Sequence, residues 1–202
     1  MGMRAQLFKL FEGPGVPRNS KAISNFWPAP TLNIRKGSLQ SAAVLVLLID
    51  HPNGMTILLT QRAETLSKHA GQIAFPGGGQ EIEDASPEDT ALRETREEIG
   101  LSAETITLLG RMNTHYTGTG YRVLPIVGIA NPPLTLLPNY SEVTKIFELP
   151  IEFLMDKKNI RLETKVQQGN KRKFYVLSYE DYYIWGLTAR ILVEFSNLMR
   201  RE

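Results

Sequence analysis

The stretch of sequence that decides the fold is FPGGGQEIEDASPEDTALRETREEIGL, residues 75–101. Its second half is bounded in the way that an α-helix is bounded. Ser86 is a residue type that caps the unpaired N–H groups of a first turn, and Pro87 suits the first helical position. Gly100 can adopt the left-handed conformation that ends a helix. The sequence therefore predicts a helix over residues 87–99.

Three carboxylates share one face of this predicted helix. At ~100° per residue, Glu94, Glu97 and Glu98 fall within an arc of about 100°. The apolar stripe beside them is made of Ala91, Leu92, Thr95 and Ile99. Like charges three and four residues apart destabilise a helix, and a hard divalent cation such as Mg²⁺ relieves that repulsion by taking carboxylate oxygens. The alternative is a solvated surface, the ordinary state of adjacent glutamates.

Three glycines, Gly77 to Gly79, stand upstream of the helix. Glycine permits a positive φ and a close approach of the backbone, so carbonyls there can face a metal and amides can face a phosphate. The run is not a Walker loop, because no Gly-Lys-Ser/Thr follows it. Taken alone, three glycines indicate only a turn.

The pattern over residues 78–101 resembles the Nudix box: a glycine, a spaced acidic residue, and then Arg-Glu-x-x-Glu-Glu-x-Gly with an apolar residue after it. The second half matches as RETREEIGL at residues 93–101. The first half departs from the pattern, since the usual spacing from Gly79 requires glutamate where Ala85 stands. If the count starts from Gly78 instead, the acidic residue is Asp84. One extra residue then precedes Arg93.

This variant is similar to the branch of Nudix hydrolases that cleave coenzyme A. That branch carries a second signature upstream, which here reads LLTQRA at residues 58–63, then Gly71, then FPGG at residues 75–78. One arginine of the signature would fall at Ser67, and Lys68 beside it is a candidate substitute. Three later segments also resemble the branch: residues 117–125, 141–150 and 184–190.

The resemblance implies an enzyme that hydrolyses a diphosphate joined to another group. For coenzyme A or an acyl-CoA, the products would be 3′,5′-ADP and (acyl-)4′-phosphopantetheine. The alternative is a Nudix pyrophosphatase that acts on ADP-ribose, NADH or another nucleoside diphosphate derivative with the same catalytic residues. A third hypothesis, a non-catalytic nucleotide-binding module, is disfavoured because all three box glutamates are present.

The resemblance also implies roles for individual residues. Mg²⁺ or Mn²⁺ would bind to Glu94, Glu97 and Glu98, with the Gly77 carbonyl completing its ligands. Such a cation polarises a diphosphate and lowers the pKa of bound water. Arg93 would orient the carboxylates through charge-assisted hydrogen bonds rather than contact the substrate.

Two further roles remain open at this point. The general base is Glu98 or Glu94 or, off the helix, Glu142 in a loop before a strand. The candidates for gripping substrate phosphates are three cations: Arg62, Lys68 and Arg122.

The rest of the chain predicts an α+β protein, with a mixed β-sheet and helices packed on its faces. The resemblance implies that this is the Nudix fold, a mixed β-sheet sandwiched between α-helices. Ser41–Asp50 is an apolar run typical of a buried central strand, and Asn53-Gly54 predicts a hairpin turn into the next strand. Further strands are predicted at 55–62, 72–75, 104–112, 121–130, 142–148, 160–164 and 172–178, the last two as an antiparallel pair. Helices are predicted at 150–156 and 187–200.

We expect a Nudix hydrolase domain at residues 38–202 and an N-terminal extension at residues 1–37. The extension holds Pro28 and Pro30, which break regular structure, and a short helix over 20–26 is compatible with its sequence. The resemblance implies nothing about its role.

Composition narrows the function further. The 202 residues contain no cysteine and three histidines, so thiolate chemistry is excluded and a metal would be held by carboxylates. A net charge of +2 gives no reason to expect a nucleic-acid partner. The longest apolar run, residues 42–49, is far short of the ~20 residues that span a membrane. With no signal-peptide pattern at the N-terminus, we expect a cytoplasmic protein with a small-molecule substrate; a homodimer is one option for its oligomeric state.

Overall fold

The computed structural model describes residues 2–11, 39–66, 69–167 and 170–200. Its strands are β1 (Gln40–His51), β2 (Gly54–Arg62), β3 (Ile73–Ala74), β4 (Gly77–Gly79), β5 (Thr107–Arg111), β6 (His115–Tyr116), β7 (Tyr121–Ala130), β8 (Val143–Pro150), β9 (Ile160–Gln167), β10 (Asn170–Tyr179) and β11 (Tyr182–Trp185). Its α-helices are α1 (Met3–Phe11), α2 (Pro87–Ile99), α3 (Ile151–Met155) and α4 (Gly186–Met199). Within these ranges, no helix is long and apolar enough to cross a membrane.

The predicted central strand, β1, organises the larger sheet. It pairs antiparallel with β2 and parallel with β7, so the sheet is mixed as expected. The strand order is β3-β2-β1-β7-β5, with β4 also paired to β1, β6 to β7 and β8 to β2. The Asn53-Gly54 turn joins β1 to β2, and His51 pairs with Gly54 across it. The second sheet is antiparallel, with β10 between β9 and β11, and confirms the strand pair predicted there.

Helices cover both faces of the larger sheet, which confirms the predicted sandwich. Successive residues of a strand point to opposite faces. Leu45 packs in one hydrophobic core with Ala91 and Ile99 of α2, and Val46 packs in the other with Leu192 of α4. The sheet therefore separates two cores, and α2, which carries the box glutamates, has one face to itself.

Helix α1 was not predicted, and it lies inside the segment expected to be an extension. Leu7 is completely buried and Phe11 is almost so, in the same core as α4. The side-chain amide of Gln6 donates to the carbonyl of Met199, 2.8 Å away. Residues 3–11 are thus part of the packed core, while the boundary at residue 38 stays a prediction.

Other element boundaries also differ from expectation. The strand predicted at 104–112 begins at Thr107, because Ala103–Thr105 forms a 3₁₀ turn. The strand predicted at 72–75 is the two-residue β3, and Pro76, which has no N–H to join a ladder, separates it from β4. Strands β4, β6 and β11 were not predicted. The short helix suggested over 20–26 lies outside the described residues.

The packing of α1 predicts a matched pair of mutants. Leu7→Ala should lower the free energy of unfolding by about 2–5 kcal/mol, because it empties a fully buried position. Leu137→Ala removes the same atoms from a side chain that is 68% exposed and should change stability by less than about 0.5 kcal/mol. Urea unfolding followed by circular dichroism measures both. Equal effects would mean that α1 does not belong to the core.

Candidate active site

The helix that carries the box, α2, begins and ends as its sequence predicts. The Ser86 hydroxyl accepts the amide N–H of Asp89 at 3.2 Å and donates to the carboxylate of Asp89 at 2.8 Å. Pro87 occupies the first turn, and Gly100 ends the helix at a φ of 71°. The side chains on α2 are therefore placed by local signals.

The three box glutamates differ sharply in burial. The side chain of Glu98 is 3% exposed, that of Glu94 is 16% exposed and that of Glu97 is 49% exposed. The apolar stripe is confirmed, since Ala91, Thr95 and Ile99 are buried and Leu92 is partly so. The helical spacing predicts that Glu98 lies beside this stripe. In the structure, Glu98 is buried as deeply as the residues of the stripe.

Glu98 lies against the first sheet. One of its carboxylate oxygens accepts the N–H of Gly77 at 3.2 Å, and the other lies 3.5 Å from a guanidinium nitrogen of Arg62. Burial raises the pKa of Glu98 to about 7, and the charges of Glu94 and Glu142 add to that rise, while Gly77 and Arg62 oppose it. The amide of Gly77, rather than its carbonyl, makes the contact; the carbonyl's role as a metal ligand stays a prediction.

Gly78 leaves the space that Glu94 occupies. A Cβ at position 78 would stand 2.5 Å from the Glu94 carboxylate carbon, closer than real contacts allow. At Gly79 a Cβ would meet nothing within 4 Å. Burial raises the pKa of Glu94, and repulsion from Glu97 and Glu142 adds to it, although Arg93 acts in the opposite direction. The middle glycine is therefore tied to the position of one of the three box carboxylates.

Arg93 lies at the centre of a network of anions, as an orienting residue would. Its Nε and Nη2 donate to the two oxygens of Asp84, both at 3.0 Å. Its Nη1 donates to Glu94 at 3.0 Å and to Glu97 at 3.1 Å, and Nη2 also donates to the Gly79 carbonyl at 2.9 Å. Arg93 does not line the cleft described below.

Asp84 is the residue whose part in the site the sequence did not reveal. The pattern marked it only as the acidic residue of the irregular first half of the box. Its carboxylate accepts hydrogen bonds from Arg93, from the Thr90 hydroxyl at 2.9 Å and from the Glu81 amide at 2.9 Å. The hydrogen bonds from Arg93 hold the pKa of Asp84 at about 2 despite its burial. Asp84 therefore fastens the loop before α2 to the orienting arginine.

Glu142 is the candidate general base that does not lie on α2. It comes next to the box because β8 pairs with β2. Arg62 pairs with Val143 in that ladder, and the Ala63 amide donates to the Glu142 carbonyl at 2.8 Å. The charge of Glu142 contributes to the raised pKa values of Glu94 and Glu98, which shows that the three carboxylates lie within electrostatic reach.

The three candidate cations have separate outcomes. Arg62 reaches the site, where it faces Glu98 and lines the cleft. Arg122 donates to the Ser41 hydroxyl at 3.0 Å and does not line the cleft, whereas its neighbours Tyr121 and Val123 do. The structure does not bring Arg122 into this cleft, because adjacent residues of a strand face opposite sides of a sheet, and its role in gripping substrate stays a prediction. Lys68, like Ser67, lies outside the described residues.

A cleft of about 600 Å³ opens beside these groups. One wall belongs to the first sheet and includes Arg62 and the glycines of β4. The other wall belongs to the second sheet and α4, with mostly apolar and aromatic side chains. The aromatic residues along the cleft are Phe75, Tyr116, Tyr121, Phe174, Tyr175 and Trp185. This volume is typical of a small-molecule site.

Comparison with known proteins shows the class. The NUDIX domain family matches residues 39–144, slightly more than half of the chain. A protein named "Uncharacterized Nudix hydrolase NudL" from Photorhabdus laumondii is 40% identical over 151 residues, covering 75% of this chain and 80% of that protein. A relative of the same name from Yersinia pestis is 39% identical, covering 75% of each chain. This chain therefore belongs to the Nudix family and is a Nudix hydrolase.

A solved structure agrees with the fold. The crystal structure of a MutT/nudix family protein from Enterococcus faecalis aligns over 99% of this chain and 76% of its own length, with a TM-score of 0.50 and 20% identity. The likeness supports the mixed sheet between helices. The substrate has to be argued from the site.

Nudix hydrolases generally use divalent metal ions such as Mg²⁺ or Mn²⁺. Within the described residues, no three His, Asp or Glu side chains are already arranged to hold one. Arg93 contacts Glu94 and Glu97, and Arg62 stands against Glu98. The donors nevertheless fit the ion, because they are carboxylate oxygens. Glu98 is buried and Glu94 is half-buried, and a cation would lower the raised pKa values of both.

The pKa of Glu98 predicts how stability depends on pH. The folded protein holds this proton up to about pH 7, whereas an ordinary glutamate has a pKa of 4.5, so stability falls as pH rises between these values. In metal-free protein, Glu98→Gln should raise the thermal midpoint by roughly 5 °C at pH 8 and by much less at pH 5.

The matched control is Glu97→Gln, which changes the neighbouring, half-exposed carboxylate. Its thermal midpoint should follow that of the unmodified protein at both pH values. An equal effect of Glu98→Gln at pH 5 and pH 8 would contradict the assignment of a near-neutral pKa to Glu98.

Proposed function

We propose that this chain hydrolyses the diphosphate bond of coenzyme A or an acyl-CoA, releasing 3′,5′-ADP and (acyl-)4′-phosphopantetheine. The observation that carries the proposal is that two sequence motifs meet at one carboxylate. Glu98 of the box helix faces Arg62 and accepts the N–H of Gly77, and both of these belong to the upstream signature that is similar to the coenzyme A branch.

The shape of the cleft supports this substrate class. Coenzyme A is a long molecule with an aromatic base at one end and a diphosphate in its middle. The cleft offers aromatic rings on both walls, with Phe174, Tyr175 and Trp185 on the second sheet, and the backbone of the three glycines on the first. Flat rings such as Trp185, which packs edge-to-face on Phe174 at 6.3 Å between centroids, suit contact with a base.

The proposal gives each residue of the box one task. Glu94, Glu97 and Glu98 would hold the divalent cation, which when bound neutralises charge on the diphosphate and lowers the pKa of water. Arg93 holds Glu94 and Glu97 in position through its hydrogen bonds. Arg62 lines the cleft and would donate to a phosphate oxygen.

Hydrolysis requires one proton acceptor. The oxygen of a water molecule forms a bond to phosphorus, the bridging P–O bond breaks, and the bridging oxygen leaves with the other phosphate. The proton lost by the water must go to a base. With three glutamates assigned to the cation, Glu142 is the remaining carboxylate within electrostatic reach, and we assign the proton to it.

Product analysis by mass spectrometry tests the proposal. Purified protein with Mg²⁺ or Mn²⁺ is incubated separately with coenzyme A, ADP-ribose, NADH and a nucleoside triphosphate, each beside the Glu98→Gln variant. We expect 3′,5′-ADP from coenzyme A, with turnover at least ~10²-fold lower in the variant because it loses a carboxylate that positions charge.

Other outcomes separate the alternatives. Turnover of ADP-ribose or NADH without coenzyme A would keep the site and overturn the substrate, and would direct attention to Ser67. Unchanged turnover after chelation with EDTA, or in Glu98→Gln, would overturn the role of the carboxylate face.

The space that Gly78 leaves for Glu94 can be tested with a second pair of variants. Gly78→Ala should fold, because the new methyl group meets the end of a flexible side chain, but it should displace Glu94 and lower kcat by at least ~10-fold. Gly79→Ala places the same methyl group in open space and should retain activity. Steady-state kinetics and thermal midpoints measure both. Equal kinetics in the two variants would mean that the position of Glu94 is not limiting.

A further inference from the structure

Arg190 is a cation in the cleft that the mechanism does not use. It lies on α4, in the wall opposite the glycines, and its side chain is about half-buried. Within the described residues it makes no hydrogen bond and no ion pair within 4 Å. A guanidinium removed from water in this way ordinarily has a partner. Burial accordingly lowers the pKa of Arg190.

The nearest acidic residue on its own helix is already engaged. Glu194, one turn along α4, is buried and accepts a hydrogen bond from Asn113 at 2.6 Å. Its other oxygen lies 3.1 Å from Nε2 of His115. Glu194 contributes a favourable field at Arg190 but makes no direct contact with it. The guanidinium is therefore left with its donors directed to no anion of the described chain.

The other two cations of the cleft are placed for different tasks. Arg62 stands against Glu98 in the first-sheet wall, beside the proposed diphosphate position. Lys173 lies on β10, the central strand of the second sheet, and its side chain is exposed. Of these three cations of the described cleft, only Arg190 combines a place in the wall formed by the second sheet and α4, beside Tyr175, with partial shielding from water.

We propose that Arg190 binds a phosphomonoester of the substrate, separate from the diphosphate that is cleaved, and so selects nucleotides that carry a phosphate on the ribose. Coenzyme A carries such a group on its 3′ oxygen, so the inference rests on the proposed function and names a specificity residue for it. A guanidinium presents a planar fork of donors that matches two phosphate oxygens at once. The aromatic rings of this wall would contact the base, and the guanidinium of Arg190 would bind the phosphate on the ribose.

The test compares coenzyme A with 3′-dephospho-coenzyme A, which differs only by this phosphate. We expect the unmodified protein to favour coenzyme A in kcat/KM by roughly 10- to 100-fold, the effect of charge-assisted hydrogen bonds to one group. Arg190→Met should remove most of this preference by lowering kcat/KM for coenzyme A while leaving that for the dephospho compound nearly unchanged.

Two further variants guard the interpretation. Arg190→Lys keeps the charge but loses the fork, and should show an intermediate preference even if Arg190→Met folds poorly. Arg161→Met removes an exposed arginine that does not line the cleft, and should leave both substrates unaffected. Equal losses for both substrates in the Arg190 variants would indicate a structural role and overturn the proposal, as would equal use of both substrates by the unmodified protein.

A binding measurement separates this inference from the proposed function. Calorimetry without metal compares 3′,5′-ADP with 5′-AMP, which lacks the second phosphate. Tighter binding of 3′,5′-ADP that disappears in Arg190→Met supports the ribose-phosphate site even if coenzyme A is not hydrolysed. Equal binding of the two nucleotides to the unmodified protein overturns it.

Discussion

The burial of one carboxylate, Glu98, is the constraint on which the rest of the site depends. The side chain of Glu98 is 3% exposed, so its negative charge needs favourable partners in place of water. The Gly77 amide and the Arg62 guanidinium are these partners, and they come from two different strands. These contacts bring β2, β4 and α2 to one point. These two contacts do not fully offset the burial, because the pKa of Glu98 remains near 7. A site with surplus negative charge is one that a cation would stabilise.

The ion pair between Arg93 and Asp84 is the second interaction that holds the site together. It lies in a box whose first half departs from the usual spacing. The loop between the glycines and α2 has one residue more than the usual spacing. Asp84 folds that loop back on itself through the Glu81 amide and fastens it to Arg93 with two hydrogen bonds. Because the pKa of Asp84 is held near 2, the carboxylate stays charged and this ion pair persists at pH values above that. These hydrogen bonds hold the irregular loop against the same arginine that contacts Glu94 and Glu97.

The cleft joins the wall that would carry the proposed chemistry to the wall that would recognise the substrate. The first sheet contributes the glycines and Arg62, and the second sheet with α4 contributes aromatic rings and Arg190. The hydroxyl of Thr188 ties the two together by donating to the carbonyl of Ile73 at 2.8 Å. Under the proposed function, chemistry and specificity would therefore lie on separate elements, so substitutions in one wall would change substrate preference without moving the carboxylates.

The sequence by itself determined whatever depends on neighbours a few positions apart. These features include the caps of α2, the apolar stripe of that helix, the hairpin at Asn53-Gly54 and the central apolar strand. Only the tertiary structure decided which glutamate is buried, that Arg62 meets Glu98 and Arg122 faces away, and that α1 belongs to the core. Such contacts join residues far apart in the chain, for example Gln6 and Met199, and their energies come from burial and pairing after the elements have packed. Periodicity reports the face of a helix or strand, but not what will cover it.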